Sequence, residues 1–178
     1  MKKIIILASV ILPLVFIFGY NTVGGDKSSQ DSVVSSMLVQ TARLFYPNIN
    51  DNKYYYIDKE ISFRTNDITR LILQEEYKNT VVNQAGAVFS KNTTINSLYK
   101  GSDDMVYIDL NKMFLTEMNA GAGYEEMILQ SIANTFGYYY ALEKVILTID
   151  GGLYESGHIS KAKGEYIGVN YSFAVNIK

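Results

Sequence analysis

Three consecutive runs, VYIDLNKMF (106–114), GYEEMILQSIANTFGYYY (123–140) and LEKVILTIDGG (142–152), decide the fold of this chain. In the first, Val106, Ile108 and Leu110 alternate with Tyr107 and Asp109, the period-two pattern of a half-buried strand. In the second the period lengthens. Ile128, Ile132, Phe136 and Tyr139 or Tyr140 recur three or four residues apart, with Leu129 and Ala133 widening the same face, so an amphipathic helix is predicted. Gly121 and Gly123 give the bend before it, and Glu125 and Glu126 place negative charge in its first turn, near the unpaired amides. In the third run Val145, Leu147 and Ile149 alternate again until Asp150-Gly151-Gly152 turns the chain. The helix therefore joins two strands.

Working outward, Met37–Tyr46 is β-prone and ends at Pro47, and turn formers fill Asn48–Asn52. Lys53–Arg64 follows as the second arm of a hairpin, with Tyr55, Ile57, Lys59, Ile61 and Phe63 on the parity expected to face the core. Asn66 is placed to cap a helix that carries Ile68, Leu71 and Ile72 on one side and ends near Tyr77 or Lys78. Thr80–Phe89 is ambiguous between helix and loop because Gly86 interrupts it. Thr93–Tyr99 is predicted to pair across the Gly101–Asp104 turn with the strand that begins at Met105. At the far end, Ile167, Val169, Tyr171, Phe173, Val175 and Ile177 alternate strictly with smaller or polar residues. That pattern predicts one long terminal strand, paired either within the domain's own sheet or with a partner.

The signature V-x-I-D-L-x-x-x-F, then N-T-F at the end of the helix, then K-V-x-L-T-I-D-G and a later G-H-I-S, resembles the GerMN family of sporulation and spore germination domains. The matching positions are Val106, Asp109, Leu110, Phe114, Asn134, Thr135, Val145, Asp150, Gly151, Gly157 and His158, and the early A-R-L-F-Y-P is similar to the family's opening strand. The resemblance runs from Thr41 to Gly168. It implies a fold similar to the ring-building-motif folds of secretion and sporulation channels, and a role in sporulation or germination by docking onto envelope or channel proteins. The residue patterns and the resemblance together predict an α+β domain: a small mixed sheet with two helices packed on one face.

Composition excludes several functions. The net charge is −2 and the basic residues are scattered, so there is no electrostatic footprint for nucleic acid. Cysteine is absent, which rules out a disulfide framework, a thiolate zinc site and a lipid-modified N-terminal cysteine. Many members of the resembled family are lipoproteins, so a different attachment is expected here. Lys2 and Lys3 precede an apolar run, Ile4–Tyr20, with the layout of an export signal. Residues 1–20 are predicted to remain as a membrane anchor, with the domain outside the cytoplasm. The alternative is a secreted form released before Asp26. Residues 21–36, rich in Ser, Gly and Asp, are predicted to be a flexible linker, and residues 37–178 a single domain whose terminal strand is an addition.

No nucleophile motif, phosphate loop or metal-ligand cluster is present, and no cofactor is expected. His158 is the only histidine and has Glu155 and Ser156 for neighbours, too few partners for metal or acid–base work. Asp109 and Asp150 have ordinary explanations in strand alternation and turn formation. The triplets Tyr54–Tyr56 and Tyr138–Tyr140 and the terminal aromatics offer rigid apolar faces with polar tips. Tyr54, Tyr56, Tyr138, Tyr171 and Phe173 are accordingly the candidate interaction residues, for envelope or channel-complex proteins or for self-association. The alternative from another class is a peptidoglycan- or carbohydrate-binding module, or a wall-acting enzyme.

Overall fold

Two long strands open the domain, β1 (Leu38–Asn48) and β2 (Lys53–Phe63), paired antiparallel along their whole length from Leu38 opposite Phe63 to Asn48 opposite Lys53. The computed structural model describes residues 37–64 and 66–177. The expected anchor (1–20) and linker (21–36) lie outside the described residues. The hairpin turn closes on side chains, with Asn48 Oδ1 and Asp51 Oδ1 accepting the N–H groups of Asn50 and Lys53. β1 runs on through Pro47 because that residue's nitrogen faces away from β2, as the N–H of Phe45 does, so the ladder loses no donor. The core parity is the expected one. Ala42, Leu44 and Tyr46 meet Ile61 and Phe63 in the core, with Tyr55 and Ile57 packed against it. Lys59 shares that parity but reaches out to Glu76 Oε2 at 2.6 Å.

The helix α1 (Thr69–Asn79) corrects the sequence reading on two points. Its cap position is Ile68, with no side-chain cap, because Asp67 instead accepts the N–H of Arg64 and Asn66 lies upstream in the turn. The buried face is Leu73, Gln74 and Tyr77, whereas Ile68 and Leu71 are 53% and 40% exposed. Polar side chains set this rotation: Gln74 Oε1 accepts the N–H of Ile95 and Arg70 donates to its carbonyl, which turns Gln74 inward. Residues 80–94 form a loop that still buries Val82, Val88 and Phe89.

The central unit follows the sequence closely. β3 (Ile95–Lys100) pairs antiparallel with β4 (Val106–Leu110). A short helix that the sequence reading did not foresee, α2 (Met113–Met118), buries Phe114 and leads into α3 (Ala122–Tyr140). β5 (Lys144–Ile149) then returns parallel to β4, so the helix is the crossover of a parallel pair. Two small strands occupy the other side of β5, β6 (Gly152–Leu153) at one end and β7 (Ile167–Gly168) at the other.

The α+β class holds, with the strands divided between two sheets. One has the order β3-β4-β5-β6, with β7 also on β5, and the other is β1-β2-β8, where β8 (Ala174–Asn176) pairs parallel with Tyr54–Tyr56. A single core unites them, with Ile128, Ile132 and Phe136 of α3 packed among residues of both sheets. The expected continuous strand Ile167–Ile177 is not formed. The segment pairs with β5 for two residues, crosses over, and pairs with β2 for three. Asn134 diverts it: its side chain both donates to the carbonyl of Asn170 and accepts that residue's N–H, at 2.7 and 2.8 Å. Beyond that clamp Phe173 turns through a left-handed conformation, φ 67°. Among the described residues no helix is long and apolar enough to cross a membrane.

Candidate functional site

The register of the β1–β2 hairpin sets Arg43 opposite Asp58 and Phe45 opposite Tyr56 on the face away from the core parity. Arg43 meets Asp58 through two parallel hydrogen bonds of 2.7 and 2.8 Å from Nε and Nη2, a paired geometry that fixes the guanidinium plane. That plane lies 4.1 Å from the ring centre of Tyr56 and 4.6 Å from that of Tyr138, between two π faces. Tyr171 stacks on the fully buried Phe45 at 5.5 Å and meets Tyr138 edge-on at 6.3 Å, while Phe45 also touches Tyr56. Three of the five residues singled out from the sequence thus converge on one cluster, contributed by a strand, a helix end and the C-terminal segment.

The other two sit beside it. Tyr54 is half-buried on the same strand face, and its N–H donates to the carbonyl of Phe173. The Phe173 ring is 73% exposed and joins none of the aromatic pairs among the described residues. Arg43 and Phe45, the residues that organise the cluster, were not singled out from sequence. The signal for them was the turn: once residues 48 and 53 are paired, position 43 must face position 58 and position 45 must face 56.

Electrostatically the cluster is quiet. Asp58 neutralises Arg43, and burial, with Tyr138 beside it, pushes the Tyr171 phenol up to about 12 despite the opposing pull of Arg43. Burial, helped by nearby Glu126, also raises Tyr54. The Arg43 guanidinium and the rings of Tyr56, Tyr138 and Tyr171 are thus held against one another by the contacts given above. Tyr138 and Tyr171 are 36% and 44% exposed.

The family-signature residues have structural roles. Thr135 and Tyr77 seal the outer edge of β1: Thr135 Oγ1 accepts the N–H of Phe45 at 2.9 Å, and the Tyr77 hydroxyl donates to its carbonyl at 2.6 Å. Burial drives the Tyr77 phenol well above its ordinary value. Asn134 is the clamp described above. Asp109 accepts from Thr148, from the N–H of Gly151 and from Asn96, and Asn96 also donates to Asp150, whose left-handed backbone makes the turn. Burial opposes the charge on Asp109, yet these hydrogen bonds outweigh it and hold the carboxyl below its usual range. His158 is exposed in a turn organised by Ser156 Oγ. Glu125, read from the sequence as a first-turn charge, is fully buried and accepts from the Tyr154 hydroxyl at 2.7 Å, while its Oε2 has no hydrogen-bond partner among the described residues.

Among the described residues no three His, Asp or Glu side chains converge as a metal site. A cavity of about 210 Å³ lies beside Tyr46, Tyr77 and Val82, and a groove of about 330 Å³ runs along Gly123, Leu129, Ile159 and Ile167. None of the five candidate residues lines either one.

Residues 43–155 match the protein-family model Germane, described as sporulation and spore germination. Among solved structures the chain is similar to the tandem GerMN domains of the sporulation protein GerM from Bacillus subtilis, at 20% identity and a TM-score of 0.53. The match covers 73% of this chain and 46% of that one, so the chain spans about half of the tandem structure. The first GerMN domain of the same protein is similar at 21% identity and a TM-score of 0.51, over 72% of this chain and 97% of that one. No curated protein matches the chain.

Proposed function

The chain belongs to the sporulation and spore germination family that its residues 43–155 match, and from that membership we propose that it is an assembly module acting outside the cytoplasm, tethered to the membrane through residues 4–20. The family is a sporulation and germination domain rather than a known enzyme family. In this reading the domain docks onto envelope or channel proteins and performs no reaction of its own. The observation that carries it is the ordered, electrically neutral face around Arg43, where Tyr56, Tyr138 and Tyr171 meet. Aromatic and arginine side chains at the centre of a contact, with charges compensated, are what protein interfaces concentrate.

The test is site-specific photo-crosslinking of the full-length chain in cells of the source organism induced to sporulate. A crosslinker at Tyr138 is expected to give one discrete adduct with an envelope protein, and one at Asp104, in the β3–β4 turn, none. Replacing Tyr171 by serine is expected to weaken the adduct. Sedimentation with purified peptidoglycan and no protein adduct would replace this reading with the wall-binding one. Attachment is read separately: membrane recovery with an intact N-terminus is expected, whereas a soluble product beginning at Asp26 would replace the tether with secretion.

A further inference from the structure

We propose that the C-terminal arm, Tyr171–Ile177, exchanges between two copies of this chain, each arm adding as a strand to the open edge of the other copy's β2. The edge is the first observation. β8 covers β2 only at Tyr54–Tyr56, so Ile57–Phe63 has no strand beside it on that side among the described residues. By the parity of Tyr54 and Tyr56, the backbone groups of Asp58, Glu60 and Ser62 point outward there.

The arm is the second. Its root is fixed, because Asn134 holds Asn170 through two hydrogen bonds. Past the root the sequence alternates as a strand would, yet the chain folds back at Phe173, a bulky residue in the left-handed region with 73% of its surface exposed. That conformation is costly for any residue but glycine. Straightened, the arm has seven residues, as does the uncovered stretch of β2. Exchange replaces a ladder of three residues by one of up to seven and releases the left-handed turn. It gives up the stacking of Tyr171 on Phe45, so the closed arm prevails in dilute solution and exchange rises with concentration.

Charge selects this pairing over the other symmetric one. Setting two β2 edges together would bring Glu60 near its own copy, whereas Tyr171–Ile177 carries no carboxylate or ammonium group. The exchange needs no other protein, and because it withdraws Tyr171 from the cluster around Arg43 it competes with the docking proposed above.

The chain has no cysteine, so disulfide trapping reads it cleanly. Two differently tagged full-length chains, one E60C and one A174C, are co-expressed, purified and oxidised with copper–phenanthroline over a range of concentrations. A mixed disulfide joining the two tags is expected, increasing with concentration. Adding F173G to the A174C chain removes the left-handed cost from the closed turn and is expected to lower the yield roughly fivefold or more. Disulfides between E60C chains alone would overturn the proposal in favour of edge-to-edge pairing. No disulfide, with a single-chain mass at every concentration by light scattering, would overturn it outright. A mixed disulfide that F173G leaves unchanged would overturn the opening of the arm at Phe173.

Discussion

Lys144–Ile149 and Ile167–Ile177 carry the same sequence pattern and meet opposite fates. In β5 the alternation becomes a central strand: β4 lies along one side, β6 and β7 along the other, and Val145 and Leu147 are 0% and 4% exposed. In the terminal segment the same period of apolar residues produces two short strands and no fully buried side chain. Alternation states which faces a strand would bury, but not whether neighbours exist to bury them. For β5 the crossover helix delivers those neighbours. For the terminal segment Asn134 takes hold of the backbone first.

The largest expected contrast between the two regions comes from deleting core volume. Ile108→Ala, beside β5 in the sheet, is expected to lose about 2–5 kcal/mol, and Phe173→Ala to change stability by no more than about 0.5 kcal/mol. Denaturant unfolding of both variants checks this, and comparable losses would erase the distinction. Next, Asn134→Ala leaves the backbone of Asn170 without its partners and is expected to cost about 1–3 kcal/mol. Hydrogen exchange should quicken at Val169–Ile177 and stay unchanged in β5. Tyr154→Phe removes the one hydrogen bond that the buried Glu125 carboxyl makes among the described residues and is expected to cost a similar amount, about 1–3 kcal/mol, this time with faster exchange at the start of α3.

The smallest effect is the alkaline one. Burial raises both Tyr139, at the end of α3, and Tyr171, in the terminal segment, to about 12. An unfolded chain releases these protons near pH 10, so between about 10 and 12 the folded state binds more protons than the unfolded one. Their contribution is complete below pH 10 and is lost as pH rises toward 12. Tyr139→Phe and Tyr171→Phe should each flatten the alkaline fall in melting temperature. A weaker effect from Tyr171→Phe would mark the terminal segment as the looser of the two.

How far the sequence could be read follows the same division. The βαβ centre was legible because its periodicities are local and its partners come next in the chain. The first hairpin was legible because its turn residues set the register. The rotation of α1 was not, since Gln74 and Arg70 answer to the edge of β3 and a hydropathy pattern gives such contacts no weight. Buried Glu125 escaped for a similar reason: its partner is Tyr154, which follows β6, beyond the next two strands. At the candidate site, tyrosine clustering flagged Tyr56, Tyr138 and Tyr171, but Arg43 becomes visible only when residues 43 and 58 are seen to face one another.

The sealing of β1 also bears on the order of events during synthesis. Phe45 reaches Thr135 across 90 residues, and Tyr77 contributes from between them. A hairpin of residues 38–63 can form as soon as it is made, yet its outer edge stays unsatisfied until α3 exists. Long-range closure of this kind slows folding and leaves the nascent hairpin able to pair with other chains while it waits. Thr135 in α3 therefore closes this edge late in synthesis. Thr135→Val, which keeps the shape and removes the acceptor, should show itself first as slower refolding and more aggregation at high concentration.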